Sequence, residues 1–157
     1  APFAQYESKV YPLDLMQEII SKLAVNQDQT ILLFGGGQQE TELLDAFAKP
    51  FGNVINVAGK IKFTQELQLI SNLDVMLSMD SGNAHIAAML GVKVITLWGA
   101  THPYAGFSPF NQPIENALVA DRNLFPKLPT SVYGNKKVEG YEDAMRTISV
   151  DSILNVL

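Results

Sequence analysis

Short unbroken apolar runs alternate along this chain with stretches in which apolar residues recur every three or four positions. The runs cover residues 30–37 (TILLFGGG), 53–59 (NVINVAG), 74–80 (DVMLSMD), 92–99 (VKVITLWG) and, more weakly, 117–121 (ALVAD). Runs this short that end in Gly or Asp predict strands buried on both faces, as in a parallel sheet. Leu13, Met16, Ile19, Ile20 and Leu23, with Pro12 near their start, keep helical spacing. So do Leu43, Leu44 and Phe47, then Leu67, Ile70 and Leu73, then Ala84, Ala87, Ala88 and Leu90, with Gly91 as the expected C-cap. Strand and helix in alternation predict βαβ units with right-handed crossovers, an α/β domain. A further strand is expected to end near Phe3, ahead of the first helix. Residues 100–149 break the rhythm with many Pro, Gly and Asn, and predict a long surface excursion with short elements. Residues 149–157 read as a final short helix.

In a parallel sheet, ligands bind outside the carboxyl ends of the strands. The loops at residues 35–37, 59–61, 80–85 and 99–103 are therefore expected to converge on one edge, together with the loop that carries Lys9.

Composition narrows the chemistry. The chain has 157 residues, which fits one domain spanning 1–157, and 47% are hydrophobic against 17% charged, so a packed core is expected. No apolar run approaches the ~18 residues of a membrane span. Net charge is −5 with no basic stripe, which argues against a nucleic-acid partner. There are no cysteines, so disulfides and thiolate metal sites are excluded. The start, APFAQYESKVYP, has no initiator Met, basic segment or apolar core of a signal peptide, and reads as cut from a longer chain.

The densest chemistry lies at Asp80-Ser81-Gly82-Asn83-Ala84-His85. Asp80 or Ser81 can cap the helix that follows. Gly82 and Asn83 then offer first-turn amides, and Gly82 lets a ligand approach closely. Free amides and the helix dipole favour a phosphate there. His85, one turn on, can sit beside the same ligand. By pattern alone this is either a well-made helix start or a site. Ser81 and His85 do not make a hydrolase, because no G-x-S-x-G elbow and no orienting acid accompany them. Gly35-Gly36-Gly37 follows a strand but is neither G-x-G-x-x-G nor a P-loop, and on its own is as well explained as a tight turn. Glu40, in the first turn beyond, is either a dipole-friendly surface acid or an acceptor for ribose hydroxyls. Lys9, on the ligand edge, could neutralise a diphosphate leaving group. His85 and His102 are the only histidines, without H-E-x-x-H, so no zinc site is expected. Trp98, Tyr104, Phe107 and Phe110 read as packing.

Residues 69–103, LISNLDVMLSMDSGNAHIAAMLGVKVITLWGATHP, resemble the signature region of the ADP-heptose:lipopolysaccharide heptosyltransferases, glycosyltransferase family nine. The hallmark is D-[ST]-G-x-x-H, a small-residue helix, then a strand leading into G-x-T-x-P. Here these read Asp80-Ser81-Gly82-Asn83-Ala84-His85 and Gly99-Ala100-Thr101-His102-Pro103. The likeness reaches back through ILLFGGGQQE and SKVYPLDLM, so it covers most of residues 1–120. It departs at Ala100 and His102, where the family usually carries Pro and Asp, and in residues 129–145, where many relatives carry cysteines.

The resemblance implies a Rossmann-like parallel sheet with helices on both faces, the second half of a GT-B glycosyltransferase, with the N-terminal acceptor domain absent from this chain. It implies inverting, metal-independent transfer of a sugar, heptose by family default, from an ADP-sugar to a lipopolysaccharide-core acceptor. No cofactor is expected, and no catalytic base is assigned here, since the family's base belongs to the first domain. By the match, Lys9 meets the diphosphate as leaving-group stabiliser, and Ser81, Gly82 and Asn83 cradle it. Asp80 and His85 contact the sugar or orient Lys9, Glu40 holds ribose, Ile61 lies against the base, and Thr101 is a secondary phosphate contact. A cytoplasmic enzyme is implied, with room for peripheral association with the inner membrane. A non-catalytic nucleotide-binding module, a fragment of an oxidoreductase and a purely structural flavodoxin-like domain are the alternatives.

Overall fold

The computed structural model describes residues 1–157. The strands are β1 (Ile31–Leu33), β2 (Val54–Asn56), β3 (Val75–Met79), β4 (Lys93–Trp98) and β5 (Ala117–Val119). They alternate with α1 (Leu13–Leu23), α2 (Gly37–Ala48), α3 (Phe63–Ile70) and α4 (Gly82–Met89), and α5 (Val150–Leu154) closes the chain. Every strand pairing is parallel: β1 with β2, β3 with β4, and β4 with β5. The α/β expectation is met. Each strand is shorter than the apolar run that carries it, because the flanking glycines and aspartates belong to the loops.

One expectation fails. No strand ends near Phe3, and the hydrogen bonding falls into a two-stranded sheet, β1-β2, and a three-stranded sheet, β3-β4-β5. Ala1 lies against β3 instead, its nitrogen donating to the Leu77 carbonyl at 2.9 Å. Phe3 reaches the turn after β1, where a Cβ on Gly35 would sit 3.3 Å from its ring.

Side chains leave the sheet on alternate faces and meet helices on both. Met76 and Val94 point into one cluster with Phe34, Ile70 of α3 and Ala84, Ala87 and Ala88 of α4. The alanines let α4 lie close to β3 and β4. Met79 and Leu97 point to the other face, where they join Met16, Ile19 and Ile20 of α1, Leu44 and Phe47 of α2, and Ile153 of α5. α4 ends as its sequence predicts. Gly91 takes φ 82°, its amide bonds Ala88, and the Val92 amide reaches back to Ala87, a Schellman closure. α3 differs. It starts at Phe63, where the Gln65 side chain accepts the Lys62 amide, and it ends before Leu73.

Residues 100–149 hold short 3-10 turns and β5 as expected, yet they are not wholly superficial. Leu128, Ala144 and Ala120 make a small core of their own, while Met145 and Ile148 enter the main one. Tyr11 fastens the segment after Lys9 to this region: it is fully buried, and its hydroxyl donates to the Ile148 carbonyl at 2.7 Å. Burial, with Glu18 nearby, pushes the phenol up to about 12.

The packing yields one prediction. Leu97, without solvent exposure on the central strand, is expected to cost about 2–5 kcal/mol when cut to Ala, read as a lower urea midpoint.

Candidate functional site

The carboxyl ends of β3 and β4 carry Asp80 and Thr101, and the 3-10 turn Glu7–Lys9 brings Lys9 between them. Lys9 Nζ lies 2.9 Å from Asp80 Oδ2. The same oxygen accepts the Thr101 hydroxyl at 2.8 Å. All are deeply placed: the Lys9 side chain is 12% exposed, that of Asp80 6%, and Thr101 1%. A buried ion pair needs close geometry and further hydrogen bonds to survive desolvation, and Thr101 supplies one. The remaining ammonium N–H groups of Lys9 and Asp80 Oδ1 have no partner within the chain.

Next to this pair, α4 begins without a side-chain cap. Ser81 occupies the N-cap position with extended backbone, but its hydroxyl pairs with that of Ser78 at 3.0 Å, and Asp80 is committed to Lys9 and Thr101. The expectation that Asp80 or Ser81 caps the helix is therefore not met. The amides of Gly82, Asn83 and Ala84 have no acceptor in the chain, as the first turn of any helix would leave them. Nothing lies within 4 Å of where a Cβ on Gly82 would stand, so the approach to those amides is open. Asn83 and His85 are half-buried on the same turn and make no side-chain hydrogen bonds. Ser81 and His85 do not bond each other, so no nucleophile–base pair exists.

The structure thus gathers Lys9, Asp80, Ser81, Gly82, Asn83, His85 and Thr101. Thr101 reaches it as a support for Asp80, its hydroxyl hydrogen already spent there. Glu40 sits in the first turn of α2. Its Oε2 accepts the Gly36 amide at 2.7 Å, closing the start of α2, and leaves Oε1 free. Ile61 is half-buried in the turn after β2. No hydrogen bond links Glu40 or Ile61 to Asp80.

His102, where the motif departs from its family, has a structural job: Nδ1 accepts the Tyr104 amide at 3.2 Å and caps the turn Pro103–Ala105. An aspartate would do the same with an oxygen. Burial and the Arg122 charge hold this imidazole below its usual range. Sequence reading missed Ser8 and Gly134. The Ser8 hydroxyl donates to the Gly134 carbonyl at 2.5 Å, and Gly134 packs on the Lys9 stem. No local pattern marks either residue, because their partner is remote in sequence. A groove of about 490 Å³ lies at the amino end of β4, beside Met89, Lys93 and Phe110, and away from these polar groups.

A buried lysine and a helix start without a side-chain cap thus share the carboxyl edge of a parallel α/β sheet. The sequence model of glycosyltransferase family 9 (heptosyltransferase) matches residues 1–137, and the chain belongs to that family. Among curated relatives, lipooligosaccharide heptosyltransferase 2 of Haemophilus influenzae is 25% identical over 142 residues, covering 88% of this chain and 39% of that protein. Lipopolysaccharide heptosyltransferase 3 of Escherichia coli K12 is 27% identical over 131 residues, covering 82% of this chain and 37% of that protein. The solved E. coli heptosyltransferase WaaC with ADP shares the fold, with a TM-score of 0.75 at 18% identity, over 99% of this chain and 41% of that one. The chain thus spans about two fifths of the length of these relatives. The Rossmann-like reading of the sequence agrees with this likeness.

Removing the Asp80 carboxylate strands a buried ammonium and a buried hydroxyl. Asp80→Ala is expected to cost on the order of 3–5 kcal/mol in urea unfolding. The Asp80→Ala, Lys9→Met double variant should recover a large part of it, since it buries no unpaired charge.

Proposed function

We propose that this chain is the donor-binding part of a heptosyltransferase, holding the diphosphate of an ADP-sugar at the start of α4. The uncapped amides of Gly82 and Asn83 beside the half-committed Lys9 ammonium carry this reading. In this reading Lys9 and those amides supply the N–H donors for the diphosphate, and the helix dipole adds a further favourable contribution of about 0.3–1 kcal/mol, up to ~2 when partly buried. Ser81 and Asn83 line the cradle. His85, free of internal bonds, faces the phosphate or sugar, Asp80 orients Lys9, and Thr101 holds Asp80. Glu40 offers its free oxygen to the ribose, and Ile61 packs on the base. The solved relative with ADP supports a nucleotide as ligand.

The reaction proposed is an inverting single displacement. An acceptor hydroxyl of the lipopolysaccharide core attacks the anomeric carbon, the bond from that carbon to the phosphate oxygen breaks, and ADP departs carrying the charge. Lys9 and the α4 amides meet that charge, and electrostatic stabilisation of a leaving group is often the largest single catalytic contribution. No metal or cofactor enters this scheme. The general base is not assigned in this chain: Asp80 is already paired with Lys9 and bonded to Thr101. The family resemblance places the base and the acceptor in the other GT-B domain. No helix is long and apolar enough to cross a membrane. The proposed workplace is the cytoplasm, at the face of the inner membrane.

Calorimetric titration with ADP, UDP, GDP and NADH tests the reading. Saturable binding of ADP is expected, lost in His85→Ala and weakened in Lys9→Ala, while the fold persists by circular dichroism. Absence of ADP binding at millimolar concentration, or preference for NADH, would contradict it. With ADP-heptose and a core acceptor, the 157-residue chain is expected to bind donor and transfer nothing; measurable turnover would place a base within it.

A further inference from the structure

The loop between Thr130 and Val138 is the feature that the proposed donor site leaves unexplained. It is pinned at several points to the segment that carries Lys9. The Thr130 amide donates to the Ala100 carbonyl at 2.9 Å, and the Ala100 amide donates to the Ser8 carbonyl at 3.3 Å. The Ser8 hydroxyl then donates to the Gly134 carbonyl. Lys137 meets Glu7 at 3.1 Å, but both are exposed, so that pair adds little. Gly134 has φ 73°, and a Cβ there would stand 2.8 Å from Lys9 Cδ, 2.9 Å from Lys9 Cγ and 2.9 Å from Thr101 Cγ2. Its bare backbone therefore lies flat on the Lys9 stem and on the methyl of the residue that holds Asp80.

Lysine has a long stem with several rotatable bonds and loses rotamer freedom when it is fixed. Asp80 holds only the head of Lys9. Gly134 closes the remaining space along the stem. We propose that the Gly134 turn, latched by the Ser8 hydroxyl, is a positioning element that fixes the Lys9 ammonium for the second phosphate of the nucleotide. This rests on the donor-site reading above. Gly134 and Ser8 touch no ligand in it, and they act through Lys9.

The test compares ADP with AMP by calorimetric titration of the chain and its Gly134→Ala, Ser8→Ala and Ser8→Thr variants. Displacing Lys9 should weaken ADP about tenfold, the scale of one charge-assisted hydrogen bond, and leave AMP unchanged, since AMP lacks the phosphate that Lys9 meets. Ser8→Thr, which keeps the hydroxyl, should restore ADP affinity. Ser8→Ala adds no bulk and no backbone strain, so it decides the matter if Gly134→Ala does not fold. ADP affinity unchanged in Ser8→Ala, or ADP and AMP weakened alike, overturns the latch while leaving the donor site standing. Failure of the unsubstituted chain to bind ADP overturns both.

Discussion

The pairing of Lys9 with Asp80 is the constraint around which this domain is organised. Taking a carboxylate and an ammonium out of water is costly, and the pair persists because each is held from behind. Thr101 bonds Asp80, Tyr11 roots the segment after Lys9 in the main core, and Gly134 covers the lysine stem. These supports come from the ends of β3 and β4, the segment before α1 and the excursion before α5. One ion pair thus ties the segment before α1 and the excursion before α5 to the edge where β3 and β4 end.

That commitment has a second consequence at the start of α4. A helix entered through Asp-Ser would ordinarily be capped by one of those side chains, gaining about 1 kcal/mol. Here Asp80 faces Lys9 and Ser81 faces Ser78, so the first-turn amides stay unsatisfied by protein. In the proposed donor site these amides are the ones that meet the diphosphate. The same logic separates Glu40, which spends one oxygen on the Gly36 amide and steadies α2. Its remaining oxygen is the free one.

Much of this was legible in the sequence. The alternation of apolar runs and helical stripes gave the α/β class, because burial on both faces of a strand leaves a continuous apolar run. The Schellman end at Gly91 was also readable, and so was the grouping of Lys9, Asp80 and Thr101, through the SKVYPLDLM entry for Lys9 and the D-S-G-x-x-H and G-x-T-x-P motifs for the other two, although Thr101 was read as a phosphate contact and not as the support of Asp80. The absent cap was not, since the choice between capping and ion pairing depends on where Lys9 arrives. No strand forms at Phe3: the Ala1 nitrogen bonds the Leu77 carbonyl of β3, and no further ladder pair follows. Ser8 and Gly134 were invisible for a related reason: their contact bridges sequence-distant loops and needs a backbone without a side chain, and neither requirement leaves a local pattern. His102 looked like a departure, but an imidazole nitrogen fills the acceptor role at that turn.

The central claim is that the α4 amides and Lys9 form one anion-binding cradle. Amide chemical-shift mapping of the isotope-labelled chain during titration with ADP tests it most directly. The account predicts the largest shifts at Gly82, Asn83 and Ala84, with Lys9 and Gly134 following. Shifts centred on Met89, Lys93 and Phe110 at the opposite edge of the sheet, or none at saturating nucleotide, would contradict it.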